Sequence, residues 1–195
     1  MAVDTGARVG EVVEASTDSF VAQAYRLYEA PPLGALVRTG SDTPTFGVIC
    51  YTTTRGVDPN RRPIARGEHL ADEASVYQEN PQLELLLKTE FNVVIIGHEE
   101  SGSVRHYLPP GPPRIHAFVH QCTDEEVRKF TQDLGFLELL LNSRNASDDA
   151  TSALVRQAAL CHEDSQIFLV RAGKELAMLL QGQGMRLNGV LRRLG

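Results

Sequence analysis

Hydrophobic and polar positions along the chain follow two periods, and the change falls near residue 122. Before it, short β-prone runs recur at close intervals: residues 9–13, 20–25, 35–37 and 46–54 mix β-branched and aromatic residues with small and polar ones. Turn formers separate them, namely Ser16 to Asp18, then Pro31, Pro32 and Gly34, then residues 40–44. Short strands spaced this closely predict a small closed or nearly closed antiparallel barrel, which leaves few unpaired edges. Gly10, Gly34 and Gly47 stand where a tightly coiled sheet needs a bulge or a close approach. Residues 1–5 read as a loose lead-in.

Residues 55–67 break the pattern with Asp58, Pro59, Asn60, Arg61, Arg62, Pro63 and Arg66, a polar excursion from the sheet. Two short helices are predicted within it, over 70–77 and 81–88; Asn80 is the predicted cap of the second, and Leu83, Leu86 and Leu87 share its face. Residues 91–97, FNVVIIG, form the most apolar β run and should sit centrally in the sheet. A loop at 99–102, a strand over 104–108, the rigid PPGPP of 109–113 and a last strand over 115–119 complete this part. The prolines, lacking N–H donors, belong at an edge or between strands.

From Thr123 the period is helical. Thr123 and Glu126 have capping-box spacing, and Val127, Phe130, Leu134, Leu137 and Leu141 recur on one face. Further helices are predicted over 150–160 and 165–180, with a short amphipathic segment over 185–194. The expected organisation is α+β: a barrel domain over 1–122 with an insertion at about 55–90, then a helical bundle over 123–195.

Composition narrows the function classes. The chain has 195 residues, 42% of them hydrophobic, enough for a folded core, and a formal charge of -6 argues against a general nucleic-acid binder, which needs a basic surface. Cys50, Cys122 and Cys161 are widely spaced with no CxxC pair, as expected of free thiols in a reducing compartment. No secretory leader pattern opens the chain and no apolar run reaches membrane-span length, so the expected location is cytoplasmic and no membrane partner is expected.

With these elements placed, GARVGEVVEASTDSFVAQAY, GALVRTG and TFGVICYT resemble the HAS-barrel, the small β-barrel at the N-terminus of HerA-type DNA-translocating ATPases and of ATP synthase catalytic subunits. PIARGEH, VYQENPQLELLLKTEFNVVIIGH and YLPPGPPRIHAFV resemble the excursion, penultimate strand and proline-rich exit of the HerA-like version, so the resemblance covers about residues 6–122. It implies subunit contacts, since this barrel sits in rings. The motor domain that follows it in those proteins opens with a phosphate loop, yet GxxxxGK[ST] occurs nowhere in this sequence. Neither ATP binding nor any other cofactor is therefore expected; the chain reads as a barrel without its engine.

Candidate chemistry is sparse. His116, His120 and Cys122, with Phe118 between the histidines, alternate so as to share one strand face; imidazole and thiolate suit zinc, with His98 and His106 within reach of a hairpin. No CxxC or HExxH spacing supports the site, and a polar face with one buried cysteine is the preferred reading. Among 25 carboxylates, Glu99 with Glu100 and Asp148 with Asp149 fit solvation and helix-start roles. Cys161 beside His162 cannot form a nucleophile and base by adjacency, because neighbouring helical side chains diverge. Partner-binding candidates are Arg61, Arg62 and Arg66, and the terminal segment with Arg192 and Arg193. The helical half carries more apolar positions than short helices readily hide, so a homodimer is expected with Phe136 or Leu140 in its interface. The resulting expectation is a non-enzymatic adaptor or assembly module with a protein partner. Two alternatives stay open: an accessory factor of a separate HerA-like ATPase, and a small metal-dependent enzyme.

Overall fold

The computed structural model describes residues 6–41 and 43–195, so the lead-in expected at 1–5 lies outside the described residues. Strands β1 (Arg8–Ala15), β2 (Ser19–Ala24), β3 (Leu36–Thr39) and β4 (Thr45–Gly56) come first, then helices α1 (Glu73–Glu79) and α2 (Leu83–Leu86). Strands β5 (Leu87–Glu100), β6 (Ser103–Arg105) and β7 (Phe118–Gln121) follow. The chain ends in helices α3 (Asp124–Phe130), α4 (Phe136–Asn142), α5 (Asp148–Cys161), α6 (Ser165–Leu179) and α7 (Gly184–Arg192).

All strand pairs are antiparallel, in the order β2-β1-β7-β3-β4-β5-β6, and β2 also pairs with β5. That extra pairing closes a ring of strands, with β6 hanging from β5 as a hairpin. Period-two alternation then sorts each strand between two cores. Val12, Phe20, Ala22, Val37, Ile49, Phe91, Val93, Ile95 and Val119 fill the inside of the ring. Their neighbours Leu36, Phe46, Val48, Cys50, Val94 and Ile96 point outward, where α3 to α7 cover them. Within the run 91–97, residues 93–97 are continuously apolar because this part of β5 is buried on both faces, whereas Asn92 is exposed. Gly34, at φ 81, is the close approach of the sheet to α5: a Cβ there would lie 2.5 Å from the Leu154 amide nitrogen.

The helical layer is built on α5, whose Ala150, Ala153, Leu154, Val155, Ala158 and Ala159 are all buried. Its small residues let α3, α4, α6 and α7 approach from several sides. Ser147 caps it, and Asp148 and Asp149 lie in its first turn, the helix-start role expected of them. The capping box at Thr123 and Glu126 opens α3 with both reciprocal bonds made.

Several element boundaries differ from the sequence pattern. The apolar stripe from Val127 to Leu141 is split between α3 and α4, because Asp133 Oδ1 accepts from the Gly135 N–H and turns the chain between them. Asn80 closes α1 by bonding the Val76 carbonyl instead of capping the next helix, and that next helix stops at Leu86 where β5 begins. The excursion is correspondingly shorter than 55–90, since β4 and β5 stay paired out to Gly56 and Leu87. The strand expected over 104–108 shrinks to Ser103–Arg105, and the last strand starts at Phe118, not at 115, because His116 adopts φ 68. A left-handed residue cannot continue a pleated strand.

Candidate functional site

Two regions lie at opposite ends of the β4–β5 ladder, which at about 3.3 Å per residue carries them far apart. At one end, a cleft of about 1070 Å³ opens between the turn around Gly40, the turn at Glu99 and Glu100, and the proline-rich segment from Pro109 to Pro113. The prolines make its wall, and Arg38, Thr39, Phe118 and His120 reach it from the sheet. Arg38 Nε donates to Glu126 Oε1 at 2.6 Å, linking β3 to α3. His120 lies directly opposite Arg38 on one side and Arg8 on the other. Burial, aided by the charges of Arg38 and Arg8, holds its imidazole below the ordinary histidine range, while Glu126 opposes the shift. His98 is buried at the cleft's edge, its Nδ1 3.1 Å from the Tyr107 carbonyl oxygen.

The other end is an arm, residues 57–86, held by the Val57 N–H to Leu86 carbonyl bond and by the Tyr28 and Tyr77 hydroxyls, 2.5 Å apart. Neither α1 nor α2 contains a buried residue. Ile64, Leu85 and Leu86 are 72%, 82% and 53% exposed. Arg61, Arg62 and Arg66 are exposed too; Arg66 bonds Asn80, and the other two make no side-chain ion pair among the described residues. The arm is polar in two senses: these arginines lie before Gly67, and Glu68, Asp72, Glu73, Glu79 and Glu84 lie after it.

At the base of the arm sits a group that sequence reasoning missed. Glu90 is buried between Lys88 Nζ at 2.6 Å and Arg55 Nη2 at 2.5 Å. Burial alone would raise its carboxyl pKa, yet the bonds and charges of Lys88 and Arg55 outweigh that and hold it below the ordinary range. Lys88 and Glu90 are two apart on one strand and Arg55 faces Lys88 across the ladder, a pairing visible only once register is known.

The strand face that carries the zinc candidates His116, His120 and Cys122 is only partly assembled. Phe118, His120 and Cys122 do share the outer face, but the left-handed turn at His116 sends that imidazole to Glu11. Cys122 is swallowed by the helical core, where burial pushes its thiol far above its usual range. His106 turns instead to Asp133 and the Phe130 carbonyl. Among the described residues no group of three or more His, Cys, Asp or Glu side chains is arranged to hold a metal ion. Cys161 and His162 diverge as expected, the thiol toward Asp124 and the imidazole toward Thr131 at 2.8 Å and stacked on Phe168.

Phe136 and Leu140 correct the expected dimer interface: both are fully buried beneath the chain's own sheet and helices. A side chain with no accessible surface cannot sit at an interface while the fold stays closed. The terminal segment is likewise committed to its own chain, with Val190 in the core and Leu187 and Leu194 against it. Arg193 bonds Asp149 at 2.5 Å and Arg186 bonds Asp148 at 2.9 Å, leaving Arg192 exposed beside them.

No protein-family model matches the chain, and no curated protein matches it. Its class therefore rests on its own architecture: among the described residues, an α+β arrangement with a seven-stranded antiparallel sheet in a ring, covered on one side by helices. Among the described residues no helix is long and apolar enough to cross a membrane.

Proposed function

We propose that the chain is a non-catalytic assembly module whose strand ring is a HAS-like barrel, and that it pairs with a second copy of itself through the arm at 57–86. The observation that carries this reading is the arm's composition against its burial: Ile64 in the loop before α1 and Leu85 and Leu86 on α2 face solvent, and neither helix of the arm buries a residue. Exposed apolar residues grouped on a projecting segment mark a contact surface. The choice of a second copy follows from charge. The basic stretch with Arg61, Arg62 and Arg66 and the acidic stretch from Glu68 to Glu84 belong to one arm, so two arms laid antiparallel about a two-fold axis bring each basic stretch onto the partner's acidic one. The apolar residues then fill the centre and the charges the rim.

The test uses the full chain and a variant in which residues 58–85 are replaced by Asn-Gly. Val57 and Leu86 already face each other across the ladder, so a two-residue turn can close the hairpin. The intact chain should associate reversibly and more weakly at high salt, and the shortened chain should stay single. A shortened chain that associates as strongly as the intact one would move the contact elsewhere.

A further inference from the structure

The outer face of the ring, just beyond the helical layer, holds an arrangement that the assembly reading does not use. The ladder places Arg8, His120 and Arg38 directly opposite one another on β1, β7 and β3. Two guanidinium charges flanking one imidazole from either side disfavour its charged form. The nearby acids are already engaged. Glu126 gives one oxygen to Arg38 Nε and the other to the Thr123 cap, and Glu11 is held by His116 and Tyr25. Arg8 has no ion pair among the described residues; its guanidinium lies 4.1 Å over the ring of Phe118. Arg38 donates through Nε alone, so its Nη edge makes no bond to a described side chain or carbonyl.

The next residue of β3 lies opposite Val119, on the inner face of the ring at the cleft's edge. Thr39 is 1% exposed and lines the cleft. Among the described residues its Oγ1 is buried without any hydrogen-bond partner. A buried hydroxyl left unpaired costs stability, but it belongs to the inner face and is no part of the arginine row on the outer one. The cleft, at about 1070 Å³, is about the size of the largest small-molecule sites, and the four prolines of its wall are rigid and carry no N–H donors.

We propose that this cleft binds a small molecule through an oxyanion, a phosphate or carboxylate group seated on His120 and the free edge of Arg38, with Arg8, which does not line the cleft but adjoins His120, completing the seat at its rim. Guanidinium forks suit planar or tetrahedral oxyanions, and a bound negative charge complements the two arginines and offsets their effect on His120. His120 supplies a proton link. The groups that face it are Arg8 from β1, Arg38 from β3 and Glu126 from α3, and the two arginines with burial keep it neutral when the cleft holds no anion. An anion favours the imidazolium, so binding takes up a proton and tightens as pH falls below neutrality.

The test is a titration of the full-length protein with sodium phosphate and, separately, sodium acetate, at ionic strength fixed with sodium chloride, followed through the His120 ring resonances. Saturable changes and an upward move of the His120 titration midpoint are expected with at least one anion. Preference for phosphate assigns a phosphoryl ligand, and preference for acetate a carboxylate. Arg38→Gln should weaken binding about tenfold or more. That variant also removes the Glu126 contact, so Arg8→Gln, a change at an exposed side chain, provides the independent check and should weaken binding severalfold with the fold intact. If neither anion moves His120 beyond what chloride does, or if both variants bind phosphate like the parent, the proposal is wrong. Because these readouts do not involve the arm, they stand or fall separately from self-association.

Discussion

The β4–β5 ladder is one continuous structure with two unlike halves. From Thr45 to Cys50 every residue of β4 is buried, and its partners from Val93 to His98 are buried as well. From Tyr51 to Gly56 no residue of β4 is buried, although its hydrogen bonds to β5 continue without interruption to Leu87. Antiparallel pairing runs through both halves, with register shifts only at Phe46/Gly47 and at the boundary Ile49/Tyr51; what differs most is what the outward side chains meet. Phe46, Val48 and Cys50 meet helices, whereas Tyr51, Thr53 and Arg55 meet solvent. A ladder alone contributes little net stability, so the first half anchors the fold and the second half, fastened by Glu90, serves as a stalk for the arm.

The sharpest way to break this contrast is to cut into the covered half. Phe136→Ala removes a fully buried ring that packs against Phe130 and should cost about 3–5 kcal/mol, read as a lower denaturant midpoint. A loss below about 1 kcal/mol would mean that the helical layer does not share the sheet's core.

Glu90→Gln acts on the stalk. It leaves Lys88 and Arg55 facing each other without their acid and should cost about 1–3 kcal/mol, at the low end because Arg55 is more than half exposed and solvent screens it. The pH dependence follows from the depressed carboxyl. A group whose folded pKa lies below its unfolded value stabilises above the unfolded value, here 4.5, and that contribution fades as pH falls through the folded value. Stability of the parent should therefore drop below about pH 4.5 more steeply than that of Glu90→Gln. Parallel acid unfolding curves would remove Glu90 from the account.

Thr123→Ala tests the joint between the two layers. It deletes one half of a complete capping box, and thermal unfolding should register about 1 kcal/mol. The smallest effect on stability is expected in the arm: Leu85→Ser with Leu86→Ser should shift the midpoint by less than about 0.5 kcal/mol, since neither side chain is buried, while self-association weakens. A large destabilisation would show that α2 packs more tightly than its exposure indicates.

How much of this was legible in the sequence depends on the range of the interactions. Strand runs and turns predicted the first four strands closely, because period two and proline or glycine punctuation are local signals. The split between α3 and α4 was hidden because both helices bury the same stripe, so the pattern from Val127 to Leu141 continues through a turn made by Asp133. His116 was misplaced for a similar reason: alternation predicted its face, but a left-handed backbone at a histidine leaves no compositional trace. Apolar excess in the helical half read as a sign of a partner, when the partner of Phe136 and Leu140 is the chain's own sheet. The Arg8, His120 and Arg38 row needed register across three strands that lie far apart in sequence, which no local pattern encodes. The exposure of Arg61, Arg62 and Arg66, by contrast, was legible because a charged cluster among prolines has no core to enter.

The central claim is that the exposed half of the ladder carries an arm that joins two copies of the chain. Sedimentation equilibrium tests it over a wide concentration range with the intact chain and the variant lacking residues 58–85. The intact protein should pass from the mass of one 21.4 kDa chain toward twice that mass, while the shortened protein stays at one chain throughout. An intact chain that remains at the single mass at the highest concentration would contradict the account.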